Sequence, residues 1–328
     1  MKKANKLLPF IEDIDNIRYA YWKAGKGKRH SKAVLSYQEN LDGNLLELQR
    51  QIQSGQVQVG QYRYFMIYEP KAREICASSF EEQVLHHTLM NVCHPYFDRK
   101  LIPDCYASRK CKGTYAALGR AKKYTRAYTW YLKLDVRKFF ASIHHDVLKA
   151  QLAVMFKEER LLHIFYQIID SYEASPGRGL PIGNLTSQYF ANHYLSGLDH
   201  YVKEKLSIKA YVRYMDDMVL WHDEKSALQS ACEAITRYLR NHLRLDMKPM
   251  QLNNLVHGLP FLGYRLFPYH GRLLQKSKQR FIKKMNRALD NWQEQSLNDA
   301  AAAAQILPLL AFTGHVEAQG LKKSVLLR

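Results

Sequence analysis

The stretch YVRYMDDMVLW runs from Tyr211 to Trp221 and places two aspartates, Asp216 and Asp217, side by side. Tyr- and Val-rich residues precede them and apolar residues follow. The flanks read as two short strands and the centre as a tight turn. Asp is a common turn residue because its side chain bonds nearby backbone, and that explanation is sufficient for the pair alone. The other explanation is a metal site, since Mg²⁺ takes hard oxygen ligands from carboxylates. It requires a further carboxylate from elsewhere in the chain and a reason for the metal.

The chain has 328 residues, of which 47% are hydrophobic. That is enough for a sizeable core and two or three subdomains. Lys and Arg number 49 against 30 Asp and Glu, a net charge of +19. Such an excess, interleaved with 22 Tyr and 13 Phe, points to a nucleic-acid partner. A membrane surface would call for an amphipathic anchor, and none is found. MKKANKLLPFIEDIDN lacks the apolar core of a signal peptide, and no apolar run reaches transmembrane length. Five cysteines without CxxC spacing read as reduced thiols of a cytosolic protein. The His pairs at 86–87 and 144–145 read as surface or locally hydrogen-bonded residues rather than ligands.

Residues 1–60 read as helical and charged, with Leu45, Leu46, Leu48 and Ile52 at helical spacing before a stop at Gly55. Residues 61–77 read as two strands around the turn EPKAR. Residues 79–98 read as a helix with Phe80, Val84, Leu85, Leu89 and Val92 inward. The basic turn RKCKG leads into another helix. TWYLKLDV, 129–136, reads as a strand, and 146–172 as helical. LTSQYFANHYLSGLDHYVKEKL, 185–206, reads as one long helix, and FLGYRLF, 261–267, as a strand. From about 274 the pattern is helical, with Phe281, Met285, Leu289 and Trp292 as an apolar stripe and Lys276, Lys283, Lys284 and Arg287 on the wetter side.

Asp135 supplies the further carboxylate, at the end of the strand in YLKLDVRKFFASI. It could simply cap the next helix. Combined with the hairpin it completes a three-carboxylate cluster, which is costly unless cations offset the repulsion. Two Mg²⁺ ions would do so, and such a pair clamps the attacking and leaving oxygens of phosphoryl transfer.

Four motifs in order, LDVRKFF, GLPIGNLTSQYFAN, YMDD and FLGY, resemble the palm motifs of reverse transcriptases. The resemblance runs from YEPKAREICA to FLGYRL. It implies an α+β right-hand polymerase fold, with fingers, a palm of antiparallel sheet backed by helices, and a short helical thumb. The implied division is an N-terminal helical extension at 1–60, fingers at 61–128, palm at 129–267 with finger elements interleaved, and thumb at 268–328. Asp135 and Asp216 would bind both metals with help from the Val136 carbonyl, Asp217 completing the cluster; Mn²⁺ could replace Mg²⁺. Lys71 and Arg73 match residues that hold the incoming triphosphate, a role suited to their charge. Phe140 matches the gate that excludes a ribose 2′-OH; its alternative is a core aromatic beside Phe139. Ile182, Gly183, Gln188, Tyr214 and Met215 fall on nucleotide-binding positions, and Phe261, Leu262, Gly263 and Tyr264 on the primer grip. Lys283, Lys284 and Arg287 are expected along the nucleic-acid backbone. Lys248 stands near the place of a general acid for pyrophosphate, although its spacing departs from the common pattern.

Within the family, Ile182 in LPIGNLTSQ takes the place of a common Gln, and Ser187-Gln188 follow. Together with the segments at 78–118 and LLAFTGHVEAQG, 309–320, this resembles the reverse transcriptases of diversity-generating retroelements, within the group II intron-like superfamily. That resemblance implies copying of template RNA through an RNA/cDNA duplex with dNTPs, errors at template adenines and mutagenic retrohoming. It also implies a small basic accessory protein that multimerises, and a cytoplasmic, bacterial or phage-encoded enzyme. About sixty residues follow FLGY, room for a thumb but not for an RNase H or endonuclease domain. Group II intron, retron and abortive-infection reverse transcriptases are the alternatives, and a catalytically idle RNA-binding scaffold is another.

Overall fold

In the computed structural model, residues 3–68 and 72–327 are described. They divide into two compact units, each built from three stretches of chain. The first takes in the chain to Pro103, Val136–Lys205 and Ala234–Lys248; the second takes in Asp104–Asp135, Leu206–Glu233 and Pro249 onward.

The first unit is helical around Phe80–Asp98, whose Ser79 hydroxyl caps the helix by accepting from the Glu82 amide. Phe80, Val84, Leu85 and Leu89 are buried as expected, Val92 is only half-buried, and Phe97 is buried beside them. Phe97, Phe156, Phe165 and Phe190 form an aromatic cluster with ring centroids 5.4–6.3 Å apart. Leu41–Ser54 ends at Gly55, which has φ +75°, the left-handed stop that glycine supplies without strain. The unit's only strands among the described residues are an antiparallel pair, β1 (Tyr62–Ile67) and β2 (Arg73–Ser78), with Tyr62 opposite Ser78 and Ile67 opposite Arg73.

The stretch expected to be helical at 146–172 is two helices, and the one long helix expected at 185–206 is broken. Residues 146–172 form His145–Met155 and Glu159–Asp170. The break at Phe156 is occupied by the beginning of the chain. The Ala4 amide donates to the Met155 carbonyl, the Lys157 amide donates to the Ala4 carbonyl, and Glu158 accepts from the amides of Leu7 and Leu8. Residues 185–206 form Leu185–Tyr194, Ser196–His200 and a π-helical turn, Tyr201–Lys205. The widened turn stacks Tyr201 on Tyr238 at 4.8 Å. Local periodicity contains neither partner. His86, His144 and His145 are buried rather than on the surface; the His145 Nε2 lies 2.8 Å from the Gly179 carbonyl.

The second unit is built on a four-stranded antiparallel sheet of β3 (Trp130–Asp135), β4 (Tyr211–Tyr214), β5 (Asp217–His222) and β6 (Gln251–Asn254), in the order β4-β5-β3-β6. β3 is central and pairs Trp130 with His222 and Asp135 with Asp217. Ala117, Leu118 and Ala121 of the helix Thr114–Ala127 join Tyr131, Val212, Val219 and Trp221 in one core. The Trp221 Nε1 donates to the Thr125 hydroxyl, which satisfies the buried indole.

A second sheet contains β7 (Leu259–Phe261), β8 (Tyr264–Leu266) and β9 (Gly271–Leu273). FLGYRLF is therefore a hairpin rather than one strand. Leu262 at φ +48° and Gly263 at φ +91° make its turn, with the two positive φ values of a primed hairpin. The C-terminal part is three helices, Gln275–Gln293, Asp299–Thr313 and Gln319–Leu326. Phe281 and Met285 are buried as expected and pack with Val325. Trp292 is not part of that stripe: it is 45% exposed, and its Nε1 donates to Asp299 at the start of the next helix. Among the described residues no helix is long and apolar enough to cross a membrane.

Candidate active site

The second unit carries all three aspartates. The β4–β5 turn is Met215-Asp216, tighter than the paired aspartates suggested, because Tyr214 pairs directly with Asp217. Asp217 is therefore the first strand residue and only Asp216 stands in the turn. Met215 has φ +56°, an uncommon and strained conformation for a side-chain-bearing residue. The fully buried Arg213 holds it there, its guanidinium donating to the Met215 carbonyl at 3.0 Å. The Arg213 amide in turn donates to the Asp104 carbonyl. Asp104 receives Arg120 at 2.8 Å and the hydroxyls of Tyr106 and Tyr124. The Tyr214 hydroxyl accepts from Thr114.

Asp135 and Asp217 face each other in register across β3 and β5. The Asp217 side chain is 23% exposed and splits into two environments. Oδ2 lies 3.2 Å from the Lys133 Nζ, whereas Oδ1 is buried and has no hydrogen-bond partner among the described residues. The Asp217 carboxyl is pushed up to about 6, chiefly by burial; Lys133 pulls against this, while Asp135 and Asp216 add to it. A buried carboxylate oxygen without a donor suits a hard cation. Among the described residues, no three His, Cys, Asp or Glu side chains form a metal-holding group by themselves. Asp135, Asp216 and Asp217 thus lie in one sheet and its turn without being assembled into the three-carboxylate metal group expected from the sequence.

The FLGY residues divide by depth. Phe261 and Tyr264 are fully buried, and the Tyr264 hydroxyl donates to the Phe312 carbonyl at 2.7 Å. Leu262 and Gly263 form the half-buried tip. Lys283, Lys284 and Arg287 are exposed along Gln275–Gln293.

In the first unit, Arg73 is exposed at the start of β2, while Lys71 lies outside the described residues. Phe140 belongs to the short helix Phe139–Ser142. Its half-buried ring meets that of the buried Phe139 at 5.8 Å. The Phe140 carbonyl accepts from the Leu180 amide, and the Ile182 carbonyl accepts from the Cys76 amide. The segment 180–183 is thus tied both to Phe140 and to β2. Gly183, at φ +127°, is required there, since a Cβ would meet the Cys76 carbonyl oxygen at 3.3 Å and the Ile75 Cγ2 at 3.1 Å. Gln188 is half-buried on the following helix. The Val136 backbone forms a bridge with Met247, beside Lys248.

Lys133, Arg213 and Asp104 escaped the sequence reading. Lys133 had a signal: in KLD it stands two residues before Asp135, hence on the same face of the strand.

The family described as reverse transcriptase (RNA-dependent DNA polymerase) matches residues 70–266. The putative COX1/OXI3 intron 1 protein of Saccharomyces cerevisiae is 21% identical over 218 residues, 62% of this chain and 26% of that protein. An uncharacterized 91 kDa protein in a cob intron of Schizosaccharomyces pombe is 24% identical over 128 residues, 37% of this chain and 15% of that one. The chain thus spans about a quarter or less of the length of these relatives. They are yeast intron proteins and give no support to a bacterial or phage origin. Apo telomerase from Candida tropicalis superposes with a TM-score of 0.53 at 11% identity, covering 68% of this chain and 50% of that one. Telomerase from the same organism, in complex with a TWJ fragment of telomeric RNA, gives 0.50 at 11% identity, covering 76% and 52%. These likenesses show the fold, an α+β right-hand polymerase architecture with antiparallel sheets.

Proposed function

The chain belongs to the reverse transcriptase family, and from that membership we propose that it is an RNA-directed DNA polymerase that copies template RNA into cDNA from dNTPs. The observation that carries the proposal is the pair Asp135 and Asp217 in register, beside Asp216 in a strained turn, with one Asp217 oxygen buried and unbonded. A scaffold that only bound RNA would gain nothing from this destabilising arrangement.

Asp135, Asp216 and the Val136 carbonyl, with Asp217 completing the acidic set, would hold two Mg²⁺ ions, or Mn²⁺ in their place, which supply charge stabilisation to nucleotidyl transfer when bound. The remaining work falls to side chains and backbone. Lys71 and Arg73 bind the triphosphate, and Lys248 is a candidate to protonate the departing pyrophosphate. Phe140 fills the space of a 2′-OH, so Phe140→Ala should raise ribonucleotide use relative to dNTPs; an unchanged ratio in folded protein returns the ring to a packing role. Ile182, Gly183, Gln188, Tyr214 and Met215 are the proposed nucleotide-binding residues. Leu262 and Gly263 present the primer-grip tip that Phe261 and Tyr264 anchor, and Lys283, Lys284 and Arg287 follow the RNA/cDNA duplex. This assigns residues 1–60, 61–128, 129–267 and 268–328 to the extension, fingers, palm and thumb. The test is Asp216→Asn. Primer extension should disappear while RNA affinity survives, because affinity rests on Lys and Arg contacts to phosphates. Full extension by the variant would reject the assignment.

The matched intron proteins favour a group II intron-like enzyme. A finer reading, an error-prone diversity-generating enzyme with a small basic accessory protein, is favoured by Ile182. An apolar, β-branched side chain cannot make the hydrogen bond an amide would make at that position. One hydrogen bond contributes about 0.5–1.5 kcal/mol net, enough to change error rates several-fold. The Ile182 carbonyl is fixed by Cys76, so Gln would be presented from the same backbone. Ile182→Gln should lower errors, chiefly opposite adenine, in cDNA sequenced from a defined RNA. Equal or greater error with polymerisation intact would remove this role.

A further inference from the structure

We infer that Lys133 is a positioning residue that ties the Asp217 carboxylate to the hairpin bearing the Phe261–Tyr264 turn. This rests on the polymerase reading above, and goes beyond it in making the acidic cluster and the primer-grip turn one mechanical piece.

The geometry is that of a two-ended clamp. Lys133 stands on β3, two residues before Asp135, so both side chains leave the same face of the sheet. Directly across from Lys133 on β5 is Val219, and directly across from Asp135 is Asp217. The lysine therefore reaches Asp217 along the diagonal, where long side chains on neighbouring strands meet. Its Nζ lies 3.2 Å from the Asp217 Oδ2 and donates to the Pro260 carbonyl at 3.0 Å. Pro260 belongs to β7, immediately before Phe261, and pairs with Arg265 of β8. The two sheets have no strand in common, so this ammonium bonds across from one to the other.

The side chain is only 18% exposed. Bonds to a charged group in such a setting are stronger than bonds in open water. An ammonium carries three donors, of which these contacts direct two onto fixed acceptors. Asp217 receives the lysine through Oδ2, and its Oδ1 has no hydrogen-bond partner among the described residues. The clamp thus orients the carboxylate without occupying the oxygen on the other side. At its far end it fixes β7, whose next residues make the strained Leu262-Gly263 turn. A displacement of that turn would become a displacement relative to the aspartates, and misplacement of reacting groups by about 1 Å can cost on the order of a hundredfold in rate.

The experiment compares Lys133→Met, which keeps length and loses the charge, with Lys133→Arg, which keeps charge and donors. The first readout is hydrogen exchange of the metal-free protein, which needs no catalysis. In Lys133→Met the amides of Leu262, Gly263 and Tyr264 should exchange about tenfold faster, and in Lys133→Arg less than half that acceleration should appear. The second is single-nucleotide addition at saturating primer–template. Lys133→Met should lose about ten- to hundredfold in kcat with primer affinity changed less than about threefold, and Lys133→Arg should recover part of the rate. Should Lys133→Met fail to fold, Lys133→Gln carries the same comparison. Wild-type exchange at the turn, or a defect appearing wholly as weaker primer binding, would overturn the inference. A wild-type chain that extends no primer would instead defeat the polymerase reading and leave the exchange result standing.

Discussion

Asp217 is kept in a place where its charge is unwelcome. Its carboxyl titrates near 6 in the folded chain against 3.8 for the ordinary group. Below pH 3.8 both folded and unfolded chains hold the proton, and the site costs nothing. Between 3.8 and 6 the unfolded chain ionises first, so folding loses stability as pH rises. Above 6 the full cost, on the order of 2–3 kcal/mol, is present. With a chelator present, Asp217→Asn should therefore melt a few degrees higher than wild type at pH 8. The difference should largely vanish by pH 4, and primer extension should be lost throughout. An Asn variant that melts lower at pH 8 would show that the Lys133 ion pair outweighs the cost of burying the charge. The placement of Asp135 at a strand end, and of Asp216 and Asp217 at a turn and the strand after it, was legible because hydrophobic residues flank them in the chain. Lys133 was not, because its partner carbonyl lies 127 residues away and a lone lysine in a strand has many ordinary explanations.

Elements with strong local patterns emerged as read: the helix Phe80–Asp98, the antiparallel strands β1 and β2, whose expected turn EPKAR falls largely outside the described residues, and the stop at Gly55. Elements interrupted by distant partners did not. Nothing within 146–172 announces that Ala4 bonds Met155 and Lys157, or within 185–206 that Tyr201 stacks on Tyr238. FLGYRLF looked like a strand because Leu262 is apolar, yet that residue occupies a turn at positive φ. The helix Gln275–Gln293 kept its division into two faces, with Phe281 and Met285 buried and Lys283, Lys284 and Arg287 exposed. If that exposed face follows a duplex backbone, replacing all three cations with Gln should flatten the slope of log K against log salt by up to about 2.5, since fewer counterions are released. The check is a salt titration of primer–template binding, and an unaltered slope would leave the three residues as a solvated face.

At the scale of the whole chain, composition pointed to a nucleic-acid partner through its +19 charge, and ordered motifs pointed to the family. The interleaving of three stretches in each compact unit was not legible, because no change in composition marks the passage from Pro103 to Asp104 or from Asp135 to Val136. That interleaving bears on how the protein is made. Leu7 meets its acceptor on Glu158 across 151 residues of sequence. At about 5–20 residues per second a ribosome needs roughly 8–30 s to synthesise that interval. Throughout it the amides of Leu7 and Leu8, residues buried in the finished fold, are without their acceptor on Glu158. A segment that docks on a residue 151 positions later in the sequence cannot complete its packing while the chain between them is still being made.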